Sequence, residues 1–257
     1  MFRVAVVLGL ISLVVFVASE RNPDDNDRII GGRTALVKDC PCVASLQKGE
    51  VHKCGGAIIS PTFILTAAHC VQSLEKFSLD LLGVRVGSTL WSSGGTYAGV
   101  KKMVKHPKYD PVTKQYDFAM IKLKKMLEFD VTVQPCELAT KIPANGRSSL
   151  ICGWGLKDQN AEMVPNMLQK ANVTIISRKK CGTEYGYKED EIKESMMCAQ
   201  DTNIDACQGD SGGPLITGNL LTGLTSFGKG CGKPDYPGVY AIIASVPKWI
   251  EKMMETM

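Results

Sequence analysis

All three histidines of this chain, His52, His69 and His106, come before its strongest catalytic signal, the run Gly209-Asp210-Ser211-Gly212-Gly213-Pro214. A serine flanked by glycines can approach a substrate carbonyl without obstruction, and N–H groups on such a tight turn can converge on a developing oxyanion. Serine is a weak nucleophile until a base takes its proton and a third group orients that base. The run also fits G-x-S-x-G, the strand-to-helix elbow of α/β-hydrolases, in which the acid and then the histidine follow the serine. No histidine follows Ser211, so that fold is excluded. The base has to come from upstream. Thr66-Ala67-Ala68-His69-Cys70 offers it, and Tyr116-Asp117-Phe118-Ala119-Met120-Ile121 offers an orienting carboxylate.

Many short apolar–polar alternations broken by Gly and Pro favour an all-β fold, and 257 residues suffice for one or two domains. Residues 1–19 read as a secretory signal: Arg3 precedes an apolar run from Val4 to Val17, and Val17-Ala18-Ser19 offers small residues at a cleavage point. The alternative, a membrane anchor, needs roughly 20 apolar residues, more than this run supplies. Residues 20–28 are polar and end in Arg28, as in a short propeptide. Ten cysteines in a secreted chain point to a disulfide framework; the zinc alternative lacks C-x-x-C and H-E-x-x-H motifs. Without residues 1–28 the chain keeps 27 basic and 22 acidic residues, a net charge of +5. The basic residues look scattered along the chain and form no stripe, so nucleic acid is not an expected partner. Near the C-terminus, Trp249, Ile250, Met253 and Met254 fall at helical spacing and predict a helix packed on the second half of the molecule.

The order His69, Asp117, Ser211, with Ile29-Ile30-Gly31-Gly32 after Arg28, resembles the trypsin-type members of the chymotrypsin-like serine proteases, and arthropod ones in particular. The resemblance covers essentially all of residues 29–257. It implies an all-β molecule of two six-stranded antiparallel β-barrels with a C-terminal helix and the site between the barrels. The implied boundaries are an N-terminal barrel over about 29–124, a linker over about 125–148, and a C-terminal barrel with the helix over about 149–257. In this family the serine attacks the scissile carbonyl, the histidine shuttles the proton and the aspartate orients the imidazole. The oxyanion donors implied are the N–H groups of Gly209 and Ser211. Cleavage after Arg28 frees the amino group of Ile29, which the family pairs with the carboxylate at Asp210. Ser45 and His52 match residues that hold that carboxylate in some family zymogens; they also fit as ordinary strand residues.

The resemblance also implies a specificity pocket. Asp205 takes the place of the carboxylate that receives a substrate Arg or Lys; Ala206 and Gln208 follow it, and Gly228 and Gly238 match pocket walls. Ser226-Phe227-Gly228 matches the strand that pairs with substrate backbone, with Phe227 where the family usually has Trp. Lys114 is expected to line the neighbouring subsite. Family disulfides map onto Cys54–Cys70, Cys181–Cys198 and Cys207–Cys231. Ala35 with Lys170, and Ser149 with Thr217, occupy positions that are bridges in vertebrate trypsins. Cys40 and Cys42 are too close for an unstrained mutual bond, so each is expected to pair with Cys136 or Cys152, the favoured pairing being Cys42–Cys136 and Cys40–Cys152. The region matching the vertebrate calcium loop is short and lacks carboxylates, whereas calcium takes about 6–8 oxygen ligands; no metal and no cofactor are expected. Asn172-Val173-Thr174 is a glycosylation sequon that is equally compatible with an unused site. Expected partners are protein or peptide substrates, protein protease inhibitors and an activating tryptic protease; no nucleic acid or membrane is expected, and the chain is expected to be a monomer. The competing reading is a catalytically silent homologue that acts as a binding protein.

Overall fold

The computed structural model describes residues 31–257 except 159, 189 and 203. The expected signal, the propeptide, Arg28 and Ile29 lie outside the described residues. Strands begin with β1 (Arg33–Thr34), β2 (Val43–Lys48), β3 (Val51–Ile58), β4 (Phe63–Thr66), β5 (Leu82–Val86), β6 (Thr96–Lys105) and β7 (Ala119–Leu123). After β8 (Glu137–Leu138) come β9 (Ser148–Gly153), β10 (Gln169–Ile176), β11 (Met196–Gln200), β12 (Pro214–Thr217), β13 (Leu220–Phe227) and β14 (Gly238–Ile242). Three α-helices are interspersed among the described residues: α1 (Ala68–Leu74), α2 (Arg178–Glu184) and α3 (Pro247–Thr256).

The barrels close around strands that are buried along nearly their whole length, as in β2, β5 and β14. In β7, Ile121 and Leu123 are buried while Lys122 between them stays half-exposed. Each such residue fully buried contributes about 1.5–3 kcal/mol. The order β2-β3-β4-β7-β6-β5 forms one closed antiparallel barrel. In the second half β10-β11-β14-β13-β12-β9 runs antiparallel, and β9 pairs back onto β10 to close a second barrel. The all-β class and the two six-stranded barrels follow the sequence expectation.

Three segments pack across the halves. β1, expected in the N-terminal barrel, pairs with β10 of the second, Arg33 standing opposite Lys170. The linker over about 125–148 does more than connect: Leu127, Val133 and Cys136 are buried in the first core, and β8 pairs in parallel with β13. The terminal helix was expected on the second barrel. α3 instead buries Ile250 in the cluster built mainly from first-barrel residues, and Trp249 meets the His106 ring edge-on at 4.9 Å. Helical spacing fixes which face of a helix is apolar but carries no information about which surface it covers.

Five disulfides are present, and no cysteine among the described residues is free. Cys54–Cys70, Cys181–Cys198 and Cys207–Cys231 each span a short stretch of chain. Cys40–Cys152 and Cys42–Cys136 link residues 112 and 94 positions apart. Loops of about 100 residues constrain the unfolded chain by roughly 4–5 kcal/mol each in the chain-entropy view. Where vertebrate trypsins carry a further bridge, Ser149 Oγ and Thr217 Oγ1 share a hydrogen bond of 2.7 Å.

Candidate active site

His69 opens α1 and Asp117 precedes β7, and the β4–β7 pairing beneath brings them together. Asp117 is fully buried. Its Oδ2 accepts a hydrogen bond from His69 Nδ1 at 2.7 Å, and its Oδ1 accepts one from the His69 backbone N–H at 2.9 Å. Ser226 Oγ donates to the same Oδ2 at 2.6 Å. Three donors on a desolvated carboxylate hold the imidazole in one orientation and fix its tautomer, leaving Nε2 as the working nitrogen. Sequence reasoning gave Ser226 only a backbone role; the hydroxyl on Asp117 is an addition.

Ser211 stands in the turn between β11 and β12. Its carbonyl accepts the Gly55 N–H at 2.8 Å and lies 3.5 Å from Cys70 Sγ, an atom that is also 3.7 Å from His69 Nε2. The Cys54–Cys70 disulfide therefore lies between the Ser211 backbone and the His69 ring. No hydrogen bond joins Ser211 Oγ to His69 in this ligand-free arrangement, and such bonds commonly tighten only around substrate.

The backbone beside Ser211 is shaped by Asp210. That carboxylate is buried and accepts hydrogen bonds from Gly155 N–H at 2.8 Å and Cys207 N–H at 3.0 Å; burial raises its pKa to about 6. A Cβ at Gly153 or Gly155 would overlap its oxygens, so these two glycines are what lets the acid enter. His52 bonds elsewhere: its Nε2–H donates to the Gly209 carbonyl at 3.0 Å, and its Nδ1 pairs with Ser45 Oγ at 2.8 Å. Burial lowers the His52 pKa to about 4, so the ring is neutral and can accept from Ser45. Gly209 adopts φ of +100°, a conformation that requires glycine. The amides of Asp210, Gly212 and Gly213 donate to backbone carbonyls, while those of Gly209 and Ser211 have no partner among the described residues.

Beyond Ser211 opens a cavity of about 220 Å³ lined by Ala206, Gln208, Ser226, Phe227, Gly228 and Gly238 among others. Asp205, the residue before the lining residue Ala206, is only 2% exposed. One oxygen accepts from the Gly232 N–H at 3.0 Å; the other, Oδ1, has no hydrogen-bond partner. Burial raises the Asp205 pKa to about 7, against the lowering by its backbone donors. A Cβ at Gly238, which lines the cavity, would press on Oδ1, so that glycine leaves room for the acid. Sequence reasoning missed Gly230 and Gly232 here; their nearness to Cys231, bonded to Cys207, was the available signal. Phe227 packs edge-on against Tyr187 at 6.3 Å. Lys114, on a residue with φ of +59°, donates to Tyr109 Oη at 3.3 Å. Asn172 is exposed in β10.

Among the described residues the one group with metal-ligating atoms close together is Cys54, Cys70 and His69, and its two sulfurs are bonded to each other. No described helix is long and apolar enough to cross a membrane.

The sequence model of the Trypsin family matches residues 29–250. Trypsin beta of Drosophila erecta is 42% identical over 229 residues, covering 89% of both chains. Trypsin alpha of Drosophila melanogaster is 43% identical over the same length, covering 89% of this chain and 88% of the relative. Among solved structures, neuropsin, a serine protease expressed in the limbic system of mouse brain, superposes with a TM-score of 0.79 at 36% identity, over 87% of this chain and 98% of its own. By sequence along nearly the whole of its two barrels, and by the fold itself, the chain belongs to the trypsin family and is a serine endopeptidase.

Proposed function

We propose that this endopeptidase is secreted as a zymogen, is activated by cleavage after Arg28, and hydrolyses peptide bonds after Arg, less readily after Lys. The observation that carries the specificity is the Oδ1 of Asp205, without a hydrogen-bond partner and pressed against Gly238, a residue that lines the cavity. A buried carboxylate oxygen without a donor is costly, and a substrate guanidinium supplies both the charge and the hydrogen bonds. Ser211 attacks the scissile carbonyl as His69 Nε2 takes its proton, and Asp117 stabilises the imidazolium. The free amides of Gly209 and Ser211 receive the oxyanion; one such donor is worth about 2.7–4 kcal/mol in the transition state. His69 then protonates the leaving amine, and water releases the acyl-enzyme. Lys114 disfavours a basic residue just before the cleaved position.

The order Arg over Lys rests on Ala206. A hydroxyl beside Asp205 would help to hold a compact ammonium, and a methyl group does not; the guanidinium fork needs it less. The expected ratio of kcat/KM between matched Arg and Lys peptides is about tenfold, or ~1.4 kcal/mol. Ala206→Ser narrows it chiefly by improving Lys. Equal rates on both peptides in the unaltered enzyme refute the inference. For activation, Arg28→Gln protein treated with trypsin is expected to stay inactive and unlabelled by an organophosphate at Ser211. Full activity of that variant without a new N-terminus at Ile29 refutes the switch.

A further inference from the structure

The lysines that look scattered in the sequence are gathered by the first barrel. β6 and β7 are antiparallel with Lys102 directly opposite Lys122, and a bulge between Val100 and Lys102 adds Lys101 beside them. Lys101 and Lys102 are both exposed. Lys122 is half-exposed, its ammonium 5.4 Å from the Phe63 ring. Two residues further along β7 the chain leaves the strand through exposed Lys124 and Lys125.

Like charges directly opposite each other in a sheet are unfavourable. Acidic neighbours relieve only the margin of this patch: Lys105 pairs with Glu75 at 2.8 Å and Lys124 with Asp80 at 2.6 Å. Lys101, Lys102, Lys122 and Lys125 have no carboxylate partner among the described residues. A barrel can carry such a face without a fold-related reason only at a cost in stability.

We propose that this face of β6 and β7 binds a linear sulfated polysaccharide. The positive centres follow the strand geometry, roughly 5 Å apart across strands and roughly 7 Å between alternate residues of one strand. That spacing suits a chain bearing anionic groups every few ångströms. The residues are lysines, point charges without the planar fork that reads phosphate in pairs, and the exposed ring of β6, Tyr97, stands opposite Arg85 of β5, four residues before Lys101. An acidic protein would want an apolar anchor at the centre of its contact; the exposed apolar side chain here, Met126, stands at the margin beside Lys125. All cysteines among the described residues are in disulfides, which places the chain in an oxidising compartment, where sulfated chains are available and nucleic acids are not. Lys122 lies five residues past Asp117, roughly 16 Å along the strand, so the bound chain leaves the cleft open.

The test uses the mature enzyme on immobilised heparin. Retention at physiological ionic strength is expected, with release by salt. Replacing Lys101, Lys102 and Lys122 together by Ala should lower the slope of log K against log salt by about two to three. A control removing the same charge elsewhere (Lys141, Lys179 and Lys248 to Ala) should change it by less than one. Both variants should keep kcat/KM on a small chromogenic peptide, which reports that each is folded. The proposal fails if the enzyme is not retained, if both triple variants lose affinity equally, or if polyglutamate or single-stranded DNA of matched charge binds more tightly than heparin.

Discussion

Asp205 has one oxygen on the Gly232 amide and an Oδ1 without a hydrogen-bond partner among the described residues, and burial makes its charge costly. With a pKa raised to about 7, two pH effects follow, of opposite direction. Binding of a cationic ligand requires the ionised form. The affinity of benzamidine, measured directly by fluorescence displacement, should be level above about pH 7 and fall as pH drops below it, by up to about tenfold per unit. Ligand-free stability runs the other way. Between the unfolded value of 3.8 and the folded value of about 7, the folded state binds the additional proton. Stability contributed by this group therefore declines as pH rises through that window. Asp205→Asn should lose benzamidine affinity by at least about 30-fold, since breaking a buried charge pair costs ~2–5 kcal/mol. The same variant should gain in Tm relative to the parent at pH 8 more than at pH 4.5. A pH-independent benzamidine affinity in the unaltered enzyme would remove Asp205 from the pocket chemistry.

At the scale of elements, the end of β9 and the turn after it form the seat of Asp210. Gly155→Ala would put a methyl group on the Asp210 carboxylate, which is pinned by the Gly155 and Cys207 amides. The carboxylate must swing out, and the Gly209–Ser211 backbone with it. The expected result is a folded protein whose kcat/KM is reduced by about 100-fold or more, the worth of an oxyanion donor; full activity would mean that Asp210 is not needed where it sits. The elements also show what the sequence could reveal. The motifs around His69, Asp117 and Ser211 brought them out, and their order excluded one fold and matched the family whose resemblance assigned their roles. The all-β class was legible because many short apolar–polar alternations are broken by Gly and Pro. The destination of α3, the transfer of β1 and the meeting of Lys102 with Lys122 were not legible. Each depends on register between segments distant in sequence, which no local pattern encodes. Ser226 could be placed on its strand, but the hydroxyl on Asp117 needed the fold.

At the scale of the molecule, each half holds an arm of the other. β1 from the N-terminal side is added to β10, and α3 from the C-terminal end packs into the first core beside His106. Cys40–Cys152 joins the halves covalently, and Cys42–Cys136 fastens the linker to β2. Unfolding should accordingly be one cooperative transition, with calorimetric and van't Hoff enthalpies in agreement. Two separate transitions in the intact mature chain would contradict it. The segment between the barrels exposes Lys141 and Arg147, both residues of the kind this enzyme is proposed to cut after. A molecule nicked there by its neighbours would still run as one species until reductant is added, and should retain its turnover. In a crowded population of its own copies, such a protein would age by accumulating scars rather than by falling apart.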